Sequence, residues 1–229
     1  MNPSKSFAVP TVAAVAPADV ERAVAVLTLA FSADPVTRWT YPEPAQYLAR
    51  FPILVRAFGG GAFTAGTARQ VEDYAGAALW LPPGSELDEA AIGASLPSGR
   101  ESEFAAVFEA MTSYHPQEPH WYLPLIGVDP ARHRKGYGAA LLQDTLRRCD
   151  QDYVAAYLES TSPANLSCIK GTASSSRAPS RWGRRRRCFR CCAPHADGPA
   201  CCPPAALSAA SHATSAPRQT FNFRARTWS

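Results

Sequence analysis

The stretch HWYLPLIGVDPARHRKGYGAALLQDTLRRC, from His120 to Cys149, constrains this chain more than any other. It opens as a largely apolar run that predicts a strand over 120–128 and ends at Val128-Asp129-Pro130. A short basic turn follows, and Gly136 and Gly138 stand where helical spacing begins, predicting a helix over 136–148. A helix N-terminus presents unpaired amide hydrogens and a partial positive charge, which favour an anion such as a pyrophosphate. Glycine lets backbone approach such a group where a Cβ would obstruct it, and Arg134 and Lys135 add charge beside the turn. The spacing is neither a Walker loop, which needs Lys-Ser/Thr, nor a complete dinucleotide fingerprint, which needs a third glycine. On the glycines alone, a phosphate site and a tightly packed helix start are equally open.

Upstream, Asp19 is placed to cap a helix whose apolar positions Val20, Ala23, Val24, Leu27, Ala30 and Phe31 recur at helical spacing. Asp34-Pro35 is expected to end it, because the residue before proline is pushed out of the helical region. A second helix is predicted over 47–58, stopped by Gly59-Gly60-Gly61, then strands over 62–69 and 75–81 joined by the polar turn 70–74. Ser85 with Asp88 resembles a capping box for the next helix, another helix covers 103–114, and a last strand covers 153–159. Helices interleaved with strands, and a strand-turn-helix-strand unit near the end, define an α/β class.

The segment His133-Arg134-Lys135-Gly136-Tyr137-Gly138-Ala139, followed by Ala140-Leu141-Leu142, resembles the Gln/Arg-x-x-Gly-x-Gly/Ala motif of the GNAT acetyltransferases. Ile126-Gly127-Val128-Asp129-Pro130 resembles that family's central strand and its exit, and the run from Tyr157 to Asn165 resembles the following strand and its asparagine. Ala78 to Gly84 is similar to a fungal branch of the family. The resemblance implies a mixed sheet flanked by helices, acetyl-CoA as cosubstrate and an amine as acceptor. It assigns cofactor binding to Ile126, Gly127, Val128, His133, Arg134, Lys135, Gly136, Tyr137, Gly138, Ala139 and Asn165. His133 departs from the motif, standing where Gln or Arg is usual; an imidazole N–H still donates to phosphate.

Transfer of this kind needs a base to free the amine and an oxyanion donor, for which a strand amide at Ile126 or Val128 is expected. Glu159 lies on the strand face shared with Tyr157 and Ala155 and is the candidate base, with a strand-end ion pair as its plainer role. Tyr122, on one face with His120, is the second catalytic candidate, with packing as the alternative. The family's tyrosine after the asparagine, its usual acid, has no counterpart in Leu166-Ser167-Cys168-Ile169-Lys170-Gly171, so the fold is expected to be C-terminally incomplete and transfer slow.

Composition changes abruptly at this point. Residues 1–168 carry 12 Lys and Arg against 18 Asp and Glu, whereas 169–229 carry 11 against 1. The expected organisation is an incomplete acetyltransferase domain over 1–168 and a disordered, basic Arg/Cys/Pro/Ser-rich tail over 169–229, without the apolar content to offset chain entropy. Such a switch is what an altered reading frame or retained intron produces. Arg184 to Arg187 would support weak, nonspecific nucleic-acid binding through charge. Cys188, Cys191, His195 and Cys201 are metal-capable, but the doublets Cys191-Cys192 and Cys201-Cys202 lack the spaced pairs of a zinc site, and no metal is expected. No apolar run reaches the ~18 residues of a membrane span and the start lacks a secretory core, so a cytoplasmic location is expected, with the nucleus as the alternative. Three functions stand at this stage: an amine acetyltransferase, a catalytically defective CoA-binding relic, and a basic-tail interaction protein.

Overall fold

The computed structural model describes residues 9–160 and 189–191. The tail's expected disorder, the domain boundary at 168, Asn165, the arginine run and most of the tail cysteines lie outside the described residues. The element order is β1 (Val12–Ala14), α1 (Val20–Ala30), α2 (Pro35–Thr40), α3 (Pro44–Thr64), β2 (Arg69–Val71), β3 (Gly76–Leu81), α4 (Glu89–Ser95), α5 (Glu101–Tyr114), β4 (His120–Val128), α6 (Tyr137–Gln151), β5 (Ala155–Ser160) and β6 (Phe189–Cys191).

The strands form one sheet in chain order, antiparallel from β1 to β4 and parallel from β4 onward. Parallel pairing of β4 with β5 requires a crossover, which α6 supplies. The sheet has a core on each face. Tyr47, Phe51 and Val55 of α3 and Ala23, Val24 and Leu27 of α1 pack with Leu79, Tyr122, Leu125 and Tyr157 on one side. Leu141, Leu142 and Leu146 of α6 cover Trp80, Trp121, Leu123 and Leu158 on the other. This is the mixed, helix-flanked sheet expected. The three-residue β6 pairs in parallel with β5.

Several local expectations are corrected. The three glycines do not stop α3, which runs through them to Thr64. A Cβ on Gly59 would meet Leu79 Cδ1 at 2.3 Å, and one on Gly61 would meet Leu81 Cδ2 at 3.0 Å. These glycines let the helix lie close against β3, and burial of Tyr47, Phe51, Val55 and Ala62 offsets a propensity cost of ~1 kcal/mol per glycine. The strand predicted from residue 62 accordingly begins only at Arg69. Asp34-Pro35 ends one helix and starts another: the Asp34 side chain accepts from Thr37 N–H, with Pro35 in the first turn of α2. The cap of α4 is Asp88, which accepts from Ala91 N–H, and not Ser85.

Candidate active site

Two features of β4 open the sheet. Leu79 pairs with Leu125 and Leu81 with Tyr122, so one extra residue of β4 bulges opposite Trp80, at Leu123-Pro124. Pro124 has no N–H to give a ladder, and strand prolines favour bulges. Pairing of β4 with β5 runs from His120↔Ala155 to Leu123↔Leu158, beyond which β4 continues to Val128 paired, among the described residues, with β3 alone. Among the described residues, the edge of β4 facing β5 therefore has no strand partner over residues 125–128.

The direction of the free groups follows from one bond. Asp129 N–H donates to Ala75 O at 2.9 Å, across to the β3 side. Backbone polar groups alternate along a strand, so those of Gly127 also face β3, while those of Ile126 and Val128 face the open edge. The Ile126 and Val128 side chains pack toward α6. Gly127 is committed elsewhere: a Cβ on it would meet Ala30 Cβ of α1 at 2.6 Å and Leu27 Cδ2 at 3.2 Å. Its lack of a side chain is explained by helix packing.

Asp129 Oδ1 then accepts from Ala131 N–H at 2.9 Å, holding a single helical turn at Pro130–Arg132. The His133 ring donates through Nε2 to Val128 O at 3.1 Å, so that nitrogen is engaged by the backbone and Nδ1 remains. Arg134 and Gly136 take left-handed conformations, φ 62° and 79°, and α6 begins at Tyr137 without a side-chain cap. The first bond across the turn is Ala140 N–H to Gly136 O, at 2.9 Å. The amides of Tyr137, Gly138 and Ala139 fall in the first turn, where α-helical geometry supplies no acceptor. With the exposed Arg134 and Lys135 beside them, they suit a pyrophosphate.

Where the β4–β5 ladder ends, ionisable groups gather. Tyr157 OH donates to Glu159 Oε1 at 2.7 Å and Tyr122 OH to Glu159 Oε2 at 3.2 Å. His115, the C-cap of α5, brings Nε2 to 3.9 Å from Glu159 Oε1. Its ring meets those of Tyr122 and Tyr157 edge-on, each at 4.6 Å between centroids, with His120 at 5.5 Å. The Glu159 side chain is only 8% exposed. Burial raises its carboxyl above the usual value, opposed by the hydrogen bonds from Tyr157 and Tyr122. Burial, reinforced by the Glu159 charge and hydrogen bond, pushes the Tyr122 hydroxyl well above its ordinary value. Burial, then the neighbouring His120, lowers His115.

The structure thus brings together Glu159 and Tyr122, and separately Ile126, Val128 and the turn from His133 to Ala139. Sequence reasoning overlooked His115. Its only signal was position: Pro116 and Pro119 stiffen the five-residue connection from α5 to β4, so a side chain at its start lies near the beginning of the strand. Among the described residues no group of three or more His, Cys, Asp or Glu is arranged to hold a metal ion.

Comparison with known proteins bears on this arrangement. Residues 67–170 match the family model described as Acetyltransferase (GNAT) family. The uncharacterized N-acetyltransferase C550.08 of Schizosaccharomyces pombe is 28% identical over 165 residues, which take in 62% of this chain and 65% of that protein. This chain therefore spans just under two-thirds of that relative's length. A solved structure of histone acetyltransferase HPA2 and related acetyltransferase from Corynebacterium glutamicum is 26% identical with a TM-score of 0.52, over 72% of this chain and 84% of its own. Arylalkylamine N-acetyltransferase 2 from Aedes aegypti, at 9% identity and a TM-score of 0.51 over 71% and 81%, shares the fold alone.

Proposed function

We propose that this chain, whose residues 67–170 match the GNAT acetyltransferase family model, is an acetyltransferase of that family that moves the acetyl group of acetyl-CoA onto the nitrogen of an amine, with Glu159 as base. Acetyl-CoA is the cosubstrate of the family. The observation that carries the reading is a buried carboxylate, held by two tyrosine hydroxyls, where the β4–β5 ladder gives out. Amines are largely protonated at neutral pH, and only the neutral form attacks a thioester. Glu159 removes one proton from the ammonium group, directly or through water, and its raised pKa makes it a stronger base than a free carboxylate. The neutral nitrogen adds to the thioester carbonyl, whose oxygen faces the outward amide of Ile126 or Val128. Collapse forms the amide and breaks the carbon–sulfur bond, and the remaining ammonium-like proton goes to the departing sulfur. Tyr122 and Tyr157 act through Glu159 by fixing its carboxylate. Tyr137, Gly138 and Ala139 amides, with Arg134 and Lys135, receive the pyrophosphate.

The rival reading, a CoA-binding relic, draws on the sequence beyond Glu159, in which no tyrosine occurs. Full-length protein with acetyl-CoA and a panel of primary amines, followed by CoA thiol release, separates the two. Turnover that falls about 100-fold or more in Glu159→Gln is expected of the enzyme; calorimetric CoA binding without turnover is expected of the relic. Nucleic-acid binding by the basic tail rests on residues outside those described and is tested by salt-dependent titration. No described helix is long and apolar enough to cross a membrane, and a cytoplasmic location belongs to the proposal.

A further inference from the structure

Glu159 is nearly closed off from water, and each of its oxygens already accepts from a tyrosine hydroxyl. A base so placed must shed the proton it collects before the next turnover. Tyr122 is a poor carrier, because burial and the adjacent carboxylate keep its hydroxyl protonated. His115 differs: its side chain is 29% exposed, yet Nε2 stands 3.9 Å from Glu159 Oε1.

We infer that His115 is the proton exit of the site, carrying the amine-derived proton from Glu159 to solvent. The inference rests on the reading of Glu159 as the base. At 3.9 Å the two groups are too far apart for a direct hydrogen bond, and one water or a small closure spans the gap. The proton on Glu159 passes to the unprotonated Nε2, the Nδ1 proton leaves to water, and exchange with solvent restores the starting tautomer. Glu159 returns to carboxylate, and one proton per ammonium reaches bulk water. The ring is held for this task. Tyr122 and His120 face it from β4, Tyr157 and Glu159 face it from β5, and His120 is itself fixed through Nδ1 on the Glu118 carbonyl at 2.8 Å. Burial and His120 favour the neutral imidazole, the form that accepts a proton at neutral pH.

The test uses the full-length chain with acetyl-CoA and n-butylamine, tryptamine or a lysine peptide, reading CoA thiol release across the neutral pH range. His115→Phe keeps a ring between the tyrosines but takes no proton, and His115→Ala leaves room for imidazole. Both should lower kcat by about 10-fold to 100-fold, at or below the low end for one acid–base group, with KM for acetyl-CoA little changed. Added imidazole should restore His115→Ala and neither His115→Phe nor Glu159→Gln. Full turnover in His115→Phe, or a slow His115→Ala that imidazole leaves slow, overturns the exit while a slow Glu159→Gln preserves the base. Normal turnover in Glu159→Gln removes the base reading itself. A measurement independent of turnover closes the design: NMR titration of His115 should give a lower pKa in Glu159→Gln than in the parent, and identical values would refute the coupling.

Discussion

Replacing Gly127 by alanine tests whether that glycine serves packing or ligand. The new Cβ would stand 2.6 Å from Ala30 Cβ and 3.2 Å from Leu27 Cδ2, whereas carbon atoms in contact sit ~3.5–4.0 Å apart. Ala30 is the last residue of α1 and Leu27 is fully buried, so relief requires the end of α1 to move away from β4 by about 1 Å. Overpacking of this kind costs ~1–3 kcal/mol. Reduced freedom of the unfolded chain returns ~0.4–1 kcal/mol, leaving a net loss of up to ~2.6 kcal/mol. The double variant Gly127→Ala/Ala30→Gly removes the closest clash and should recover most of that, less up to ~1 kcal/mol for a glycine at a helix end. Urea midpoints of the parent and both variants give the stabilities, and calorimetry with CoA gives the affinity. If Gly127→Ala were as stable as the parent yet bound CoA more than tenfold more weakly, the packing account would be wrong and the ligand would need the glycine.

Other outcomes follow from the same geometry. Burial raises the folded-state pKa of Glu159, so its contribution to stability is fully present below the unfolded value of ~4.3 and is lost as pH rises through the folded value. The parent should therefore lose stability over that window relative to Glu159→Gln, while its activity rises as the carboxylate forms; parallel stability curves would contradict the burial. Gly138→Val should weaken CoA binding by about 1 to 3 kcal/mol by obstructing the first turn of α6, and unchanged affinity in a folded variant would make that turn merely structural. Gly136→Ala meets no atom within 4 Å but must keep φ near 79°, which costs ~1–2 kcal/mol in denaturation experiments; a variant as stable as the parent would show that the turn relaxes.

The parts of the fold that were readable are those where local rules and tertiary packing agree. β4 falls on its expected residues, and α6 begins within a residue of expectation because the glycine turn and its amphipathic pattern point the same way. The α3 boundary was misread because helix propensity penalises glycine wherever it occurs, whereas Gly59 is favoured by a neighbour, Leu79, that lies twenty residues on. α2 was hidden by reading proline as a terminator only, when Asp34-Pro35 also makes a cap and a first turn. At the site, period-two reasoning put Glu159 with Tyr157, and their hydrogen bond joins them. It had no means of adding His115, which arrives from α5 and shares no pattern with either strand.

The bulge at Leu123-Pro124 converts an ordinary strand into a site, because a one-residue offset reverses every side chain beyond it. Under unbroken alternation Tyr122 would share a face with Pro124, Ile126 and Val128. Instead Tyr122 and Leu125 face α1 and α3, while Ile126 and Val128 join Trp121 and Leu123 on the α6 side. Two consequences follow. Tyr122 is left beside Tyr157 and Glu159, forming the carboxylate cluster, and the polar groups of Ile126 and Val128 are turned to an edge that β5 no longer occupies. Pro124 lies where the extra residue enters and where the β5 ladder stops, and its missing N–H suits both. The carboxylate cluster and the open edge are thus both set by a single irregularity in β4; under the proposed function a substitution there is expected to disturb both at once, whereas changes in the glycine turn are expected to act on pyrophosphate binding alone.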